Sequence, residues 1–186
     1  MKGSYLSYFV FLVAYFLLIS MVQSLRLEVF WDGWFNLDYL PFWIGGVLGI
    51  VLPDADHLIY VYALKPNEVT SKRVDSLVRS RSYRQSLKLL SHTHEERKEL
   101  IFHNARFQLI FWLLVALVVT SGGSLLGLGL VLGFALHLTA DYAMILMNKK
   151  DPHYWFRKLD LKLTYAQYRW YLLGNLLLFL FIAFYI

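Results

Sequence analysis

With 186 residues, 58% hydrophobic and only 17% charged, the chain is too apolar for an ordinary soluble domain and reads as one membrane-embedded domain. It contains no cysteine, which excludes disulfides, thiolate-held zinc and iron–sulfur clusters and leaves His, Asp, Glu and Asn as the ligands for any metal. The formal charge of +5 does not point to nucleic acid, because Lys and Arg gather in two loops beside apolar runs, where they set topology and meet anionic lipid headgroups.

A helix crosses the hydrocarbon with about 20 mostly apolar residues. In chain order, the segments that qualify are Tyr5 to Val22, Tyr39 to Leu64, Leu100 to Thr120, Leu125 to Met147 and Trp170 to Ile186. Lys2 ahead of the first apolar run, with Val22 and Ser24 after it, also satisfies the pattern of a cleaved signal peptide. The stretch from Lys65 to Arg106 holds ten Lys or Arg and that from Lys149 to Arg169 holds six, whereas Arg26 to Asp38 has one and the Ser121–Ser124 turn none. Counting positive residues places both basic loops in the cytoplasm, with the N-terminus inside, in a cell (inner or plasma) membrane. The expected architecture is all-α and polytopic: five transmembrane helices, a helical cytoplasmic loop over 65–99 and an interfacial amphipathic helix over 152–169. Asp151-Pro152 opens that last helix as a cap and an N1 proline, and Trp155, Leu159, Leu163 and Ala166 form its apolar stripe. In the cytoplasmic loop, Val74, Leu77, Val78, Leu87 and Leu90 form short stripes that predict one or two helices.

Ionisable groups inside a bilayer are expensive unless paired, hydrated or bound to a metal, so each marks a functional hypothesis. The second span ends in Pro53-Asp54-Ala55-Asp56-His57, the fourth carries His137 and Asp141, and the third is preceded by His103-Asn104 with Arg106. His57 lies eight residues before Lys65 and Asp141 eight before Lys149, about 12 Å each at helical rise, so three segments bring ligand-type residues to one depth. Gly45, Gly49, Pro53 and His57 are spaced by four, as are Gly129, Gly133, His137 and Asp141. Small residues at this spacing allow close helix approach, so the contact faces and the ligand faces coincide. Pro53 removes a backbone donor and is expected to bend its helix, turning Asp54 or Asp56 inward. His137 with Asp141 at i, i+4 and Asp54 with His57 at i, i+3 can each serve one ion, and zinc is favoured over manganese or iron. The same groups also suit interhelical hydrogen bonding, a proton or ion path, or haem ligation by His57 and His137. His92 and His94 belong to a run of mixed charge that reads as a solvated helix surface, and His153 beside Trp155 as interfacial.

The run Leu52-Pro53-Asp54-Ala55-Asp56-His57 resembles the motif of a family described as membrane-bound metal-dependent hydrolases, inner-membrane proteins also called LexA-binding-related. The likeness continues in Arg97 to Asn104 and in His137 with Asp141, covering about half the chain. The family pattern often has a His five residues before His103, where this sequence has Lys98, with His94 the nearest substitute. The resemblance implies a bound metal and a hydrolytic reaction and names no substrate.

Together these readings describe a helical membrane hydrolase. Asp54, His57, His103, His137 and Asp141 hold a divalent metal, and Asp56 orients a ligand or accepts a proton from metal-bound water. Arg106 and the basic loop bind the anionic headgroup of a phospholipid or lipid-linked phosphate ester at the inner leaflet. The competing expectations are a transport protein with a metal or proton site, which requires polar residues reaching the outer surface, and a scaffold that binds a partner through its basic loop.

Overall fold

The computed structural model describes residues 8, 10–19, 21, 37–93, 97 and 99–186, which are helical with no strand among them. In chain order the helices are α1 (Val10–Ile19), α2 (Leu40–Leu64), α3 (Val69–Arg79), α4 (Tyr83–His92), α5 (Ala105–Thr120), α6 (Leu125–Met147), α7 (His153–Phe156) and α8 (Tyr165–Tyr185). Three of them, α2, α6 and α8, are long and apolar enough to cross a membrane, which marks the chain as a membrane protein. The described parts of α1 and α5 are apolar but shorter.

α6 is the central element. Its apolar window is 72% buried against 39% for α2 and 28% for α8, so α6 is enclosed by its neighbours while the other two leave much of their apolar surface exposed. The most extensive packing joins α2 to α6, which run parallel with their backbones in contact. A Cβ at Gly129 would collide with the carbonyl of Phe42, one at Gly133 with that of Gly46, and one at Gly49 with that of Leu130. The two small-residue ladders are therefore fitted into each other, and close backbone approach is what they achieve. α1 covers the pair, with Tyr8, Leu12, Tyr15, Phe16 and Ile19 buried on one face and Leu12 against Gly46.

α2 changes pitch where the sequence predicts a bend. Pro53 has no amide hydrogen, and the chain tightens into a 3-10 turn over Leu52–Asp54 before resuming as α-helix over Ala55–Ile59 and ending in a π-helical turn over Tyr60–Leu64. Beyond it, α3 and α4 form a hairpin turned at Arg81, whose φ is +58°, and Val74 and Leu90 close a small core with Val61. This is the pair of helices expected for the basic loop, although Leu87 points outward, 65% exposed. His94 and Lys98 lie outside the described residues.

Two boundaries differ from expectation. The third helix begins at Ala105, not Leu100, because Asn104 is extended and caps it, its side chain accepting from the Phe107 N–H at 3.0 Å. The expected amphipathic helix over 152–169 is broken. α7 passes through a 3-10 turn, Arg157–Leu159, to Asp160 in the left-handed region (φ +51°), and a new helix starts at Tyr165. Thr164 and Gln167 form a reciprocal capping box there, which fixes a helix start inside the stripe. Trp155 and Phe156 turn inward onto Tyr142 and Tyr171 of the core.

A polar network crosses the apolar interior between α5, α6 and α8. Gln108 donates to Thr139 Oγ1 and Asn175 Oδ1, both at 3.0 Å, and accepts from Tyr171 at 2.8 Å. Trp112 donates to Asn175 Oδ1 at 2.7 Å, and Asn175 returns its amide to the Tyr171 carbonyl at 2.8 Å.

Candidate metal centre

The bend in α2, the non-helical segment 100–104 and the final turns of α6 converge at one level. Asp56, fully buried, accepts from the backbone N–H groups of Ile101 (2.9 Å), Phe102 (2.6 Å) and His103 (3.3 Å), and from His103 Nδ1 at 3.2 Å. A carboxylate that takes amide donors replaces the hydrogen bonds a helix would have made, so Asp56 is the reason 100–104 is not helical and the reason His103 points inward. Both Asp56 oxygens are engaged. Asp56 thereby holds the His103 ring in place.

Because a carboxylate can only accept, the Nδ1 of His103 carries a proton, and in the neutral imidazole its Nε2 presents a lone pair. His137 is held in the same way: its Nδ1 lies 2.7 Å from the carbonyl of Ile50, one turn ahead of the 3-10 segment, which again leaves Nε2 as the acceptor. The two Nε2 atoms each lie 3.2 Å from Asp141 Oδ2. Although close enough for ion pairing, neither Nε2 makes a hydrogen bond among the described residues. With both imidazoles neutral, three acceptors face one another here, an arrangement that could hold a cation between them. Ligand atoms around a tetrahedral ion with bonds of about 2.0–2.1 Å stand about 3.3 Å apart, so the spacing fits a zinc-type ion. Asp54 Oδ1 is 3.9 Å from His137 Nε2 and supplies a further carboxylate at the edge. Asp54, His57 and His103 form one group of ligand atoms within 4.8 Å of one another, and His103, His137 and Asp141 form a second, with His103 common to both.

His57 differs from the other two imidazoles. Its Nδ1 accepts from Arg97 Nε at 3.0 Å, and since a guanidinium only donates, the His57 proton lies on Nε2. Coordination through Nε2 would have to displace that proton. Arg97 is itself buried and fixed, donating to Thr93 Oγ1 at 2.9 Å and to the Leu90 carbonyl.

Two residues absent from the expected site are part of it. Tyr8 donates to Asp141 Oδ1 and stacks on His137 with ring centroids 4.5 Å apart, so α1 orients two of the ligands. The signal was a pair of tyrosines, Tyr8 and Tyr15, seven residues apart on one face of an otherwise apolar helix. Arg97 is the second, and it stands where Arg106 was expected. Arg106 is exposed on the first turn of α5 and lines no part of the cavity, because the Asn104 cap begins the helix with Arg106 facing outward. His92 is exposed and bonded to the Lys88 carbonyl of its own helix, as a surface residue should be.

A cleft of about 700 Å³ opens onto the centre. His103 and Asp141 lie on its wall, with Leu100, Met144, Ile145 and Trp155 as apolar lining and Arg97, Lys150, His153 and Arg157 around it. Comparisons with family models, curated proteins and solved structures found no match for this chain.

Proposed function

We propose that the protein is a membrane-embedded, metal-dependent hydrolase whose centre is built by His103, His137 and Asp141, with Asp54 beside them and His57 within reach. The observation that carries this reading is the convergence of two imidazole Nε2 atoms on one carboxylate oxygen, each ring held by its other nitrogen. A divalent ion, zinc by preference, would supply Lewis acidity and an activated water there. The chain's own residues set the tautomers (Asp56, the Ile50 carbonyl), orient the carboxylate (Tyr8) and leave one side open to the cleft. The Leu-Pro-Asp-x-Asp-His run and its resemblance to membrane-bound metal-dependent hydrolases agree with this assignment. In the same reading the chain has five spans, its basic loops lie in the cytoplasm of a cell membrane, and the cleft faces the inner leaflet.

A second reading has one supporting observation: the 3.2 Å contacts also suit protons shared between imidazoles and carboxylate, as in a proton-binding site. A path between α2 and α6 is disfavoured by their backbone contact at Gly45, Gly49, Gly129 and Gly133. Elemental mass spectrometry on protein purified without chelator separates the two. Near-stoichiometric zinc, manganese or iron, lost in His137→Ala and in Asp54→Ala at matched folding, supports the metal centre. Folded wild-type protein that holds no metal and takes up none leaves the proton site or simple packing.

A further inference from the structure

We propose that the cleft beside the metal centre is a binding site for the phosphate headgroup of an anionic lipid, with Lys150 and Arg157 receiving the phosphate and the acyl chain leaving along Met144 and Ile145. The inference deepens the hydrolase reading by naming its substrate class, and depends on that reading only for the delivery of the phosphate towards His103 and Asp141.

Position comes first. Met144 and Ile145 belong to the last turn of α6, and Asn148 and Lys150 follow it, so the mouth of the cleft lies where a spanning helix reaches the membrane surface. That is the depth of lipid phosphates, not of acyl chains or bulk water. Charge comes second. Away from the metal ligands, the cleft wall carries Arg97, Lys150 and Arg157 against one carboxylate, Asp151, and that carboxylate accepts the His153 N–H at 2.9 Å at the start of α7. Arg97 is buried beneath His57, and Lys150 and Arg157 are exposed on the cleft wall, where a headgroup could meet them. The third feature is the lining. A site for a free phosphate needs only donors, but this wall also contains Leu100, Met144, Ile145 and Trp155, an apolar lining of the kind an acyl chain would meet. Guanidinium and ammonium groups over an apolar slot at the interface match an anionic amphiphile.

The test uses the full-length protein in neutral detergent. Native mass spectrometry would count adducts of dioleoyl phosphatidic acid and dioleoyl phosphatidylcholine offered at equal concentration, with elemental analysis of the same samples. Wild type is expected to prefer phosphatidic acid by about tenfold or more, the scale expected for two basic residues beside an anionic headgroup. Lys150→Ala with Arg157→Ala should abolish that preference, and Asp141→Asn should keep most of it. Inorganic phosphate and glycerol 3-phosphate, as competitors, should displace little. An unchanged preference in the double variant, or displacement by glycerol 3-phosphate as effective as by the lipid, would overturn the proposal. A metal-free protein with the preference intact would refute the hydrolase reading and leave the lipid site standing.

Discussion

The membrane interior of this protein holds two polar clusters about α6, and they are built on opposite principles. In the Gln108–Asn175 network the donors and acceptors named above answer one another, across three helices and with no charge involved. At the His103–His137–Asp141 centre the outer faces of the ligands are satisfied with equal care, yet on the inner face neither histidine Nε2 makes a hydrogen bond among the described residues. A network that is complete by itself holds helices together, whereas one that is complete except at its middle is arranged for something to enter. Polarity inside a bilayer does not by itself mark function. The direction of the hydrogen bonds separates glue from site.

This contrast can be broken in order of expected effect. Removing a ligand, with His137→Ala or Asp141→Ala, should take bound metal from near-stoichiometric to none by elemental analysis. If the ion is held about a thousandfold tighter than its working concentration, it stabilises the wild type by about 4 kcal/mol. A chelator should then lower the melting temperature of the wild type and leave Asp141→Ala unmoved; equal chelator effects in both would sink the centre. Asn175→Ala should do the reverse. It orphans Trp112 and Gln108 and should destabilise the fold by about 1–2 kcal/mol with metal content unchanged, read as thermal unfolding beside elemental analysis. Between the two stands Tyr8→Phe, which keeps the ring stacked on His137 and removes the hydroxyl from Asp141. Metal affinity should fall about tenfold, measured by competition with a calibrated chelator, with the melting temperature of the metal-free protein little changed. Arg106→Ala provides the smallest effect: an exposed residue outside the cleft, it should move neither metal affinity nor stability by more than about 0.5 kcal/mol.

Much of the site was legible before any fold was known. Depth counted from Lys65 and Lys149, together with the two glycine ladders, brought His57 and Asp141 to one level and one interface, because helical rise and periodicity are local rules. The break at Pro53 was legible for the same reason. What escaped was what depends on a distant partner. Asp56 stood as a group that orients a ligand or accepts a proton, and only the segment folded beneath it shows that three backbone amides donate to its oxygens. Arg106 and Arg97 were indistinguishable as charges near His103; the Asn104 cap turned one outward, and His57 drew the other in. Thr164 and Gln167 were visible as letters, but an apolar stripe running past them outweighed the capping signal.

By itself, then, the sequence determined that the chain is helical and suited to a membrane, and which polar residues share a depth, since each follows from local hydrophobicity and from the geometry of a single helix. Tertiary structure alone decided which nitrogen of His57, His103 and His137 is held by a neighbour, that Tyr8 joins the candidate site, and which cations line the cleft. Those choices are made by partners between 40 and 133 residues away, and no periodicity within one helix encodes them.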